Sequence, residues 1–592
     1  PIRMVMLRSS FFRYRVNELL KSKGRYNRVL LLTITTEKEL IRTGNLVKVV
    51  PYNNKIGRSE RTNAVIEPKL SMQWFLQMKE ISRPALDAVL NGDIHLHPAK
   101  FRNLYRHWME NVRDWCISRQ LWWGQRIPAY YYSNNEFVVA ETEEEALDMA
   151  REASGRQDLT LKDLRQDEDV LDTWFSSWLW PITCFNGIND PDNADIKYYY
   201  PSNVLVTAPE ILFFWVARMI IAGYEYRGRE PFHDVYLTGL VRDKQKRKMS
   251  KSLGNSPDPI TLMEKYGADG VRVGMLLCSP AGNDLLYDDS LPEQGRNFAN
   301  KIWNAFRLVI TMPTDETIEQ PEASKAAVHW MQDTISKTLA DIDDSFVRYR
   351  ISDALMQVYK LFWDDFSGWF LEIIKPAYKE PMDGKTHKET LEIFETLMKI
   401  IHPFMPFITE EIWQRLGERK DGESIMVEQM PLPAPYEAGM LTRFETAKEI
   451  VTAVRAIRKE RNIPVREPLV LCAVAGTTGT EFDQVITRLC NLSEIRIVEG
   501  KVEGAASFRI HTSEFFVPLT AGIDHEDEIR KLEEELAYTE GFLASVMQKL
   551  SNEKFVANAP EKVLTLERKK EADARSKIAT LRESLAHLKN QQ

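Results

Sequence analysis

The sequence is poor in cysteine and has no long apolar run. Its 592 residues include five cysteines, scattered and without a Cys-x-x-Cys pair, at positions 116, 184, 278, 472 and 490. This scatter excludes a disulfide framework and a zinc-finger type of site, and it favours a reducing, cytoplasmic compartment. No stretch approaches about 18 consecutive apolar residues, and the first residues carry no apolar signal core. We therefore expect neither a membrane-spanning nor a secreted protein.

An excess of positive charge is also missing. The chain has 78 lysines and arginines against 86 acidic residues, a formal net charge of −8. Such a balance excludes a simple polyanion binder, so any nucleic-acid surface is expected to be local. The length predicts about three to five domains, because a single core rarely exceeds roughly 250 residues.

A strongly basic loop follows a predicted strand near the middle of the chain. Residues 235–241 are apolar and β-branched, which predicts a buried strand, and the loop that follows ends at Pro257 and Pro259. Lys248 and Lys251 can neutralise a pyrophosphate, and neighbouring serine hydroxyls can donate hydrogen bonds to it. A basic run alone is more often a solvated loop.

The sequence of this loop is a more specific motif than a run of basic residues. Lys-Met-Ser-Lys-Ser, after a strand and before Leu-Gly-Asn, resembles the ATP loop of class I aminoacyl-tRNA synthetases. The resemblance implies catalytic roles for Lys251, Lys248, Ser250 and Ser252. It implies ATP contacts for Lys251, Met249, Glu210, Gly239 and Leu240.

A second strand and helix precede the loop. Residues 203–207 predict a short buried strand, and Glu210 opens a helix over 211–221 that is apolar nearly all round. Strand, helix and strand form the second half of a doubly wound unit, with ligand at the strand ends. Glu210 can bond a ribose diol there, although an acid at a helix start is also favoured by the helix dipole. Relatives show Gly-x-Asp where this chain has Ala208-Pro209-Glu210.

Residues 115–128 concentrate aromatic and basic side chains around a turn at Gly124. Such a cluster can stack on a nucleic-acid strand, or it can pack two domains together. Its similarity to the synthetase pattern Ile-Ser-Arg-Gln-x-x-Trp-Gly favours a tRNA-binding turn formed by Arg119, Trp123 and Arg126. Gln125 departs from the histidine of many relatives. Nearby, His95 and His97 lack a third ligand, so no metal site is predicted.

The segment Asp172-Thr173-Trp174-Phe175-Ser176-Ser177 follows an acidic dyad that could indicate acid–base chemistry. It resembles instead the stretch that re-enters the catalytic domain in the valine, isoleucine and leucine enzymes. The resemblance implies that Trp174, with Ile211, walls a pocket for an aliphatic amino acid. One methylene is worth about 1–3 kcal/mol in such a pocket.

The carboxyl-terminal half is mostly helical. Residues 322–435 predict a bundle with a large aromatic core, in which His402 is expected to be a satisfied core histidine. Arg296 starts a long helix in the region that braces the tRNA in synthetases. From 524 two heptad limbs with a break at 551–560 predict an antiparallel hairpin, or alternatively a dimeric coiled coil. The sequence of the segment that connects the two limbs resembles the tRNA-binding arm of the valyl-tRNA synthetase family.

The predicted fold is therefore multidomain α/β plus all-α. It comprises the second half of a class I Rossmann-type catalytic domain, an α-helical anticodon-binding bundle and a carboxyl-terminal antiparallel coiled-coil hairpin. The expected domains are an unmatched segment at 1–45, the exit of an editing insertion at 46–92, the half catalytic domain at 93–275, connecting helices at 276–321, the bundle at 322–435, a small mixed domain at 436–523 and the arm at 524–592.

The resemblance implies an ATP-dependent ligase that joins L-valine to its tRNA through valyl-adenylate, with Mg²⁺ as counter-ion of the phosphates and a monomeric state. The sequence contains no His-x-Gly-His element, which class I enzymes pair with the basic loop. We therefore expect a carboxyl-terminal two-thirds of a synthetase that binds tRNA and is impaired in activation when alone. The alternatives are a non-catalytic tRNA-binding module and a scaffold built on the bundle and hairpin.

Overall fold

The computed structural model describes residues 2–5, 37–52, 57–59, 62–66, 72–133, 136–250, 253–277, 279, 281–474, 480–519 and 525–551, with separate positions between 564 and 585. The chain forms two compact units. The smaller comprises Pro1–Met78 and Arg113–Phe175, and the larger comprises Lys79–Val112 and Ser176–Gln592.

The smaller unit is built from short antiparallel strands. They are Ile2–Val5 with Val49–Tyr52, Phe75–Leu76 with Trp115–Cys116, Ser118–Arg119 with Val170–Leu171, and a sheet of Phe137–Val139, Ala129–Tyr131 and Arg165–Gln166. The helix Glu143–Ser154 packs on that sheet through buried alanines. Thr142 caps this helix by accepting a hydrogen bond from the Glu145 amide at 3.2 Å. The Glu145 carboxylate accepts from the Glu141 amide instead of closing a capping box.

The larger unit begins with a three-stranded parallel sheet. Its strands lie in the order Ser202–Thr207, Phe232–Leu237 and His95–His97. Their carboxyl ends meet at one edge, which is where α/β proteins bind ligands. The associated helices are Met78–Asn91, Phe101–Glu110, Trp180–Thr183, Ala194–Tyr199 and Ala217–Arg227.

Two sequence predictions for this sheet need revision. The strand expected over 235–241 ends at Leu237. Two residues later the backbone of Gly239 lies so close to the carbonyl oxygen of Asn283 that a Cβ on Gly239 would overlap it, and this close approach leads the chain out of the sheet. The helix expected over 211–221 starts with the 3₁₀ turn Pro209–Ile211 and the π-helical Leu212–Val216 before the α-helix Ala217–Arg227.

Three helices connect the sheet to the helical region: Pro259–Tyr266, Ala268–Leu277 and Ser290–Ile310. The last two cross at Gly270, Gly274 and Gly295, where their backbones touch. The Asp269 carboxylate accepts hydrogen bonds from the amides of Phe407 and Ile408, at 3.3 and 2.7 Å. It thereby caps a helix about 140 residues away in sequence, and ties the connecting helices to the bundle.

The bundle is made of Glu322–Val347, Ile351–Lys360, the π-helical Leu361–Phe370, Leu371–Ile374, Gly384–Ile401 and Pro406–Leu416. Its core contains fully buried rings such as Phe362, Phe366 and Phe394. The structure confirms His402 as a satisfied histidine: its Nδ1 lies 2.7 Å from the Thr409 hydroxyl, and burial lowers its pKa.

Asp365, on the π-helical segment, is an acid whose titration should be visible in stability. Burial raises its pKa to about 6, although Lys448 lies 3.6 Å away. Because the folded chain holds this proton more tightly than the unfolded chain, the stability it contributes is full below about pH 4 and is lost as pH rises through 6. The free energy of unfolding of Asp365→Asn, taken relative to that of the wild type, should therefore rise by about 2 kcal/mol as pH is raised from 4 to 7.

Urea unfolding of the bundle, followed by tryptophan fluorescence, would measure this gain. Asp364→Asn is the matched control, since that neighbouring side chain is exposed and its replacement should leave the transition unchanged. Equal pH dependence of the two variants would contradict the prediction.

A small α/β layer follows the bundle. The helix Ala438–Glu460 leads into a sheet ordered Leu492–Val498, Leu469–Val474, Ser513–Pro518 and Ala505–Ile510, with the helix Asp483–Cys490. The first two strands are parallel and the other pairs are antiparallel. Leu471 and Phe515 belong to the same core cluster as the bundle, so this layer extends the bundle core.

The last described helix is His525–Leu550. Helical positions of the return limb contact it, since Arg582 forms an ion pair with Glu540 at 2.7 Å and Arg575 lies 3.6 Å from the sulfur of Met547. Ile578, Leu581 and Leu585 are buried. These contacts agree with a hairpin, which stays a prediction because residues 552–563 lie outside the described residues.

Three absences hold within the described ranges. None of the helices there is long and apolar enough to cross a membrane. The cysteines there, Cys116, Cys184, Cys472 and Cys490, are free thiols. No group of three His, Cys, Asp or Glu side chains there could hold a metal ion, and His97 is bonded through Nε2 to Asp234 at 2.6 Å.

Candidate nucleotide-binding site

The basic loop leaves the carboxyl edge of the parallel sheet. After Leu237 the chain forms the short strand Val241–Arg242, which pairs in parallel with Leu285–Leu286. It then turns back so that Lys248 forms an antiparallel bridge with Arg242. The loop therefore stands beside the ends of the parallel strands, where the sequence predicted it.

Lys248 reaches across this edge to Glu210. Its Nζ lies 2.7 and 2.8 Å from the two carboxylate oxygens of Glu210. Glu210 sits in the 3₁₀ turn immediately after the strand Ser202–Thr207. Both side chains stay largely exposed, at 55% for Lys248 and 41% for Glu210. The structure thus brings together a predicted catalytic lysine and a predicted ATP contact that lie 38 residues apart in sequence.

The rest of the loop is held by hydrogen bonds. The Met249 amide donates to the Val241 carbonyl at 3.3 Å, and the Ser250 hydroxyl accepts from the Leu253 amide at 3.3 Å. Leu240 donates its amide to Asp284 at 3.4 Å, and Gly239 packs on Asn283. Lys251 and Ser252 lie outside the described residues.

Asp243 and Asn255, to which the sequence assigned no role, lie at the two ends of the loop. Asp243 is buried, and the hydrogen bond it accepts from Asn255 is the largest of several contacts that hold its pKa far below the usual range. Asp and Asn are frequent in turns because their side chains bond nearby backbone amides, which is the one signal that could have singled them out.

In the smaller unit the predicted arginines bond to the protein itself. Arg119 forms an ion pair of 2.5 Å with buried Asp172, and it also donates to the carbonyls of Cys116 and Ser118. Arg126 donates to the carbonyls of Asp167 and Gln166. Their guanidinium groups shape the turn before they can contact any ligand.

Trp123 is 92% exposed and Trp122 fully exposed, so the aromatic part of this turn is open to solvent. Trp174 is partly exposed, and its amide donates to Asp172 at 3.0 Å. The turn and the predicted pocket wall are therefore linked through one buried carboxylate.

The remaining predicted residues lie in the larger unit. Ile211 is half-buried directly after Glu210, which places it at the same sheet edge. Arg296 lies 5.5 Å from the centre of the Tyr266 ring and pairs with Glu293 at 3.3 Å. It is thus on the connecting helices, away from the loop in sequence.

Comparison with known proteins assigns these parts. Residues 25–288 match the family model of tRNA synthetases class I (I, L, M and V), and the match begins inside the segment that the sequence analysis left unmatched. Residues 328–473 match the anticodon-binding domain of tRNA ligase, and 524–589 match the valyl tRNA synthetase tRNA binding arm. The chain is 59% identical to the valine–tRNA ligase of Parabacteroides distasonis over 552 residues, 93% of this chain.

The chain belongs to the valyl-tRNA synthetase family. It combines the class I synthetase catalytic fold with a helical anticodon-binding domain. The valine–tRNA ligase of Christiangramia forsetii is 57% identical over 569 residues, 96% of this chain and 65% of that protein. As the match also covers 63% of the Parabacteroides protein, the chain spans less than two-thirds of the length of these valyl-tRNA synthetase relatives.

Proposed function

We propose that this chain takes part in the ATP-dependent attachment of valine to its tRNA through valyl-adenylate. It supplies the basic-loop half of the active site and the tRNA-binding domains. The observation that carries the proposal is the meeting of Lys248 and Glu210 at the carboxyl edge of the parallel sheet. Family membership supplies the identity of the amino acid.

The Lys248–Glu210 pair is suited to exchange partners with a nucleotide. An ion pair this exposed is worth about 0–1 kcal/mol, so a ligand displaces it at little cost. A ribose diol donates hydrogen bonds to the Glu210 carboxylate, and a phosphate accepts them from Lys248. Positive charge beside the transferring phosphoryl group stabilises the charge that develops there, which is the main source of catalysis in such reactions.

Mg²⁺ fits this site as a companion of the phosphates. It binds through one or two carboxylates and the substrate's phosphate oxygens, and does not require a cage made only of protein. Because Glu210, the carboxylate paired with Lys248, is assigned to the ribose, phosphate oxygens and water would supply the ligands of the ion. When bound, the ion would neutralise phosphate charge.

The other substrates use other residues. We propose an amino-acid contact for Trp174 and another for Ile211, and we assign tRNA contact to the bundle, the arm, Arg296 and the turn that carries Trp123. The guanidinium groups of Arg119 and Arg126 order that turn and stay partly exposed, so we also assign tRNA contact to these two arginines. We place the chain in the cytoplasm and expect a monomer.

The sheet itself indicates what completes the catalytic domain. Ser202–Thr207 pairs on one side with Phe232–Leu237 and has no described strand on its other side. Val204 and Val206 on this edge strand are 39% and 60% exposed. An open apolar strand edge is a site for further strand pairing. Together with the missing His-x-Gly-His element, it supports completion by an amino-terminal portion of a synthetase.

Activity assays test this proposal directly. The purified chain should show little valine-dependent ATP–pyrophosphate exchange alone, because the reaction needs both halves of the nucleotide fold and the chain supplies only one. Addition of the separately expressed amino-terminal portion of the Parabacteroides distasonis relative should restore exchange and aminoacylation of valine tRNA. Exchange at full rate by the chain alone, or none with the added portion, would contradict it.

A second function, a non-catalytic tRNA-binding module, is favoured by the absence of His-x-Gly-His from this sequence. Failure of complementation with retained, steeply salt-dependent tRNA binding would support this module. Absence of tRNA binding would leave a scaffold role.

A further inference from the structure

The basic loop is exposed, so burial cannot hold its conformation. Residues 244–248 are all exposed to solvent, and the described side chains at 249, 250 and 253–257 are half-buried or exposed. An exposed loop keeps a defined shape only where hydrogen bonds oppose its conformational entropy. The groups that make those bonds therefore decide where Lys248 points.

Asn255 forms hydrogen bonds with the backbone of Lys248 and Ser250. Its Oδ1 accepts a hydrogen bond from the Ser250 amide at 2.9 Å, and its Nδ2 lies 3.3 Å from the Lys248 carbonyl oxygen. The same Nδ2 donates to the Asp243 carboxylate at 2.9 Å. One side chain thus joins Asp243, at the start of the loop, to the backbone of Lys248 and Ser250 on either side of Met249.

Asp243 fixes the other limb of the loop. One carboxylate oxygen accepts from the amides of Gln245 and Arg247 at 3.0 and 2.9 Å, and the other accepts from Arg247 Nε at 2.8 Å. Lys246 between them adopts a left-handed φ of 63°, as the tight turn requires. Asp243 and Asn255 together bond to Gln245, Arg247, Lys248 and Ser250, on both limbs of the loop.

We propose that Asp243 and Asn255 are positioning residues that hold the basic loop so that Lys248 faces Glu210 at the nucleotide site. The inference rests on the proposed function only in naming ATP as the ligand. Neither side chain needs to touch the nucleotide, because each acts through the loop backbone.

Limited trypsin digestion of the full chain tests this role without any catalytic assay. The loop offers cleavage after Lys244, Lys246, Arg247, Lys248 and Lys251, and mass spectrometry quantifies each product. Asp243→Asn and Asn255→Ala should each raise the cleavage rate at these bonds about tenfold, because several hydrogen bonds that oppose local opening are lost. The double variant should be cleaved at about the same rate as either single variant, since the two residues form one unit.

Gln245→Ala is the matched control, because Gln245 lies in the same loop and its side chain only accepts a surface hydrogen bond from Arg247. It should be cleaved at the wild-type rate. Asn255→Asp, which keeps the size of the side chain and sets a second carboxylate beside Asp243, should behave like Asn255→Ala. Unchanged cleavage in the Asp243 and Asn255 variants, or an equal rise in Gln245→Ala, would overturn the proposal.

ATP adds a readout that a purely structural role would not move. ATP should slow cleavage of the wild-type loop, and the Asp243 and Asn255 variants should need about tenfold more ATP for the same protection, with Gln245→Ala unchanged. Equal ATP dependence in all variants would count against positioning. If ATP protects no form, ATP binding by this chain is refuted, while the cleavage rates without ATP still decide the role of the two residues.

Discussion

Replacement of Lys251 by alanine should lower ATP–pyrophosphate exchange about 100-fold in the chain completed by the amino-terminal portion of its Parabacteroides relative. The resemblance of the loop assigns Lys251 to the charge that develops on the transferring phosphoryl group. Loss of one well-placed positive group removes stabilisation that the transition state needs more than the bound substrate does. The decrease should therefore appear mainly in kcat.

Lys246→Ala is the matched control for this experiment. Lys246 belongs to the same basic loop and is exposed, and its removal changes the net charge by the same amount. Exchange by this variant should stay near the wild-type rate. Equal losses in both variants would show that the loop acts only through its overall charge, and would contradict a specific role for Lys251.

Gly295→Ala should lower the free energy of unfolding of the bundle by about 3 kcal/mol. A Cβ at this position would overlap the carbonyl oxygen of Gly270 on the crossing helix, and backbone atoms cannot move aside as a flexible side chain can. The helices Ala268–Leu277 and Ser290–Ile310 would have to separate. Denaturant unfolding, followed by circular dichroism, measures the loss.

The control for the glycine substitution lies on the helix His525–Leu550. A Cβ on Gly541 would meet no atom within 4 Å. Gly541→Ala should therefore leave the bundle transition unchanged and stabilise its own helix by about 1 kcal/mol, because alanine has the higher helix propensity. A bundle as stable with Gly295→Ala as without it would show that the two helices are not locked by this contact.

Much of the architecture could be predicted because it depends on local patterns. The aromatic periodicity of 322–435 predicted a bundle, and His402 between apolar neighbours predicted a core histidine; both are observed. The apolar run 203–207 predicted a buried strand; the strand is observed, but only Leu205 in it is buried, because the strand lies at the edge of the described sheet. The end of the strand at Leu237 was not predictable, since it depends on a contact between Gly239 and a residue 44 positions later.

The predicted site shows the same division. Lys248 and Glu210 were each recognisable from their neighbours in sequence, whereas their direct contact depends on the parallel pairing of two strands. Arg119 and Arg126 stay predicted tRNA contacts, and nothing local in the sequence reveals that Asp172 and the carbonyls of residues 166–167 also bond to their guanidinium groups.

By itself, the sequence determined the family motif of the loop, the order of the structural regions and the absence of a His-x-Gly-His element, because these are properties of residue identity and spacing. Only the tertiary structure decided that Lys248 meets Glu210, that Asp243 and Asn255 bind the loop ends together, and that glycines join two helices. Each of these contacts depends on distances between residues remote along the chain, and those distances exist only after strands pair and helices pack.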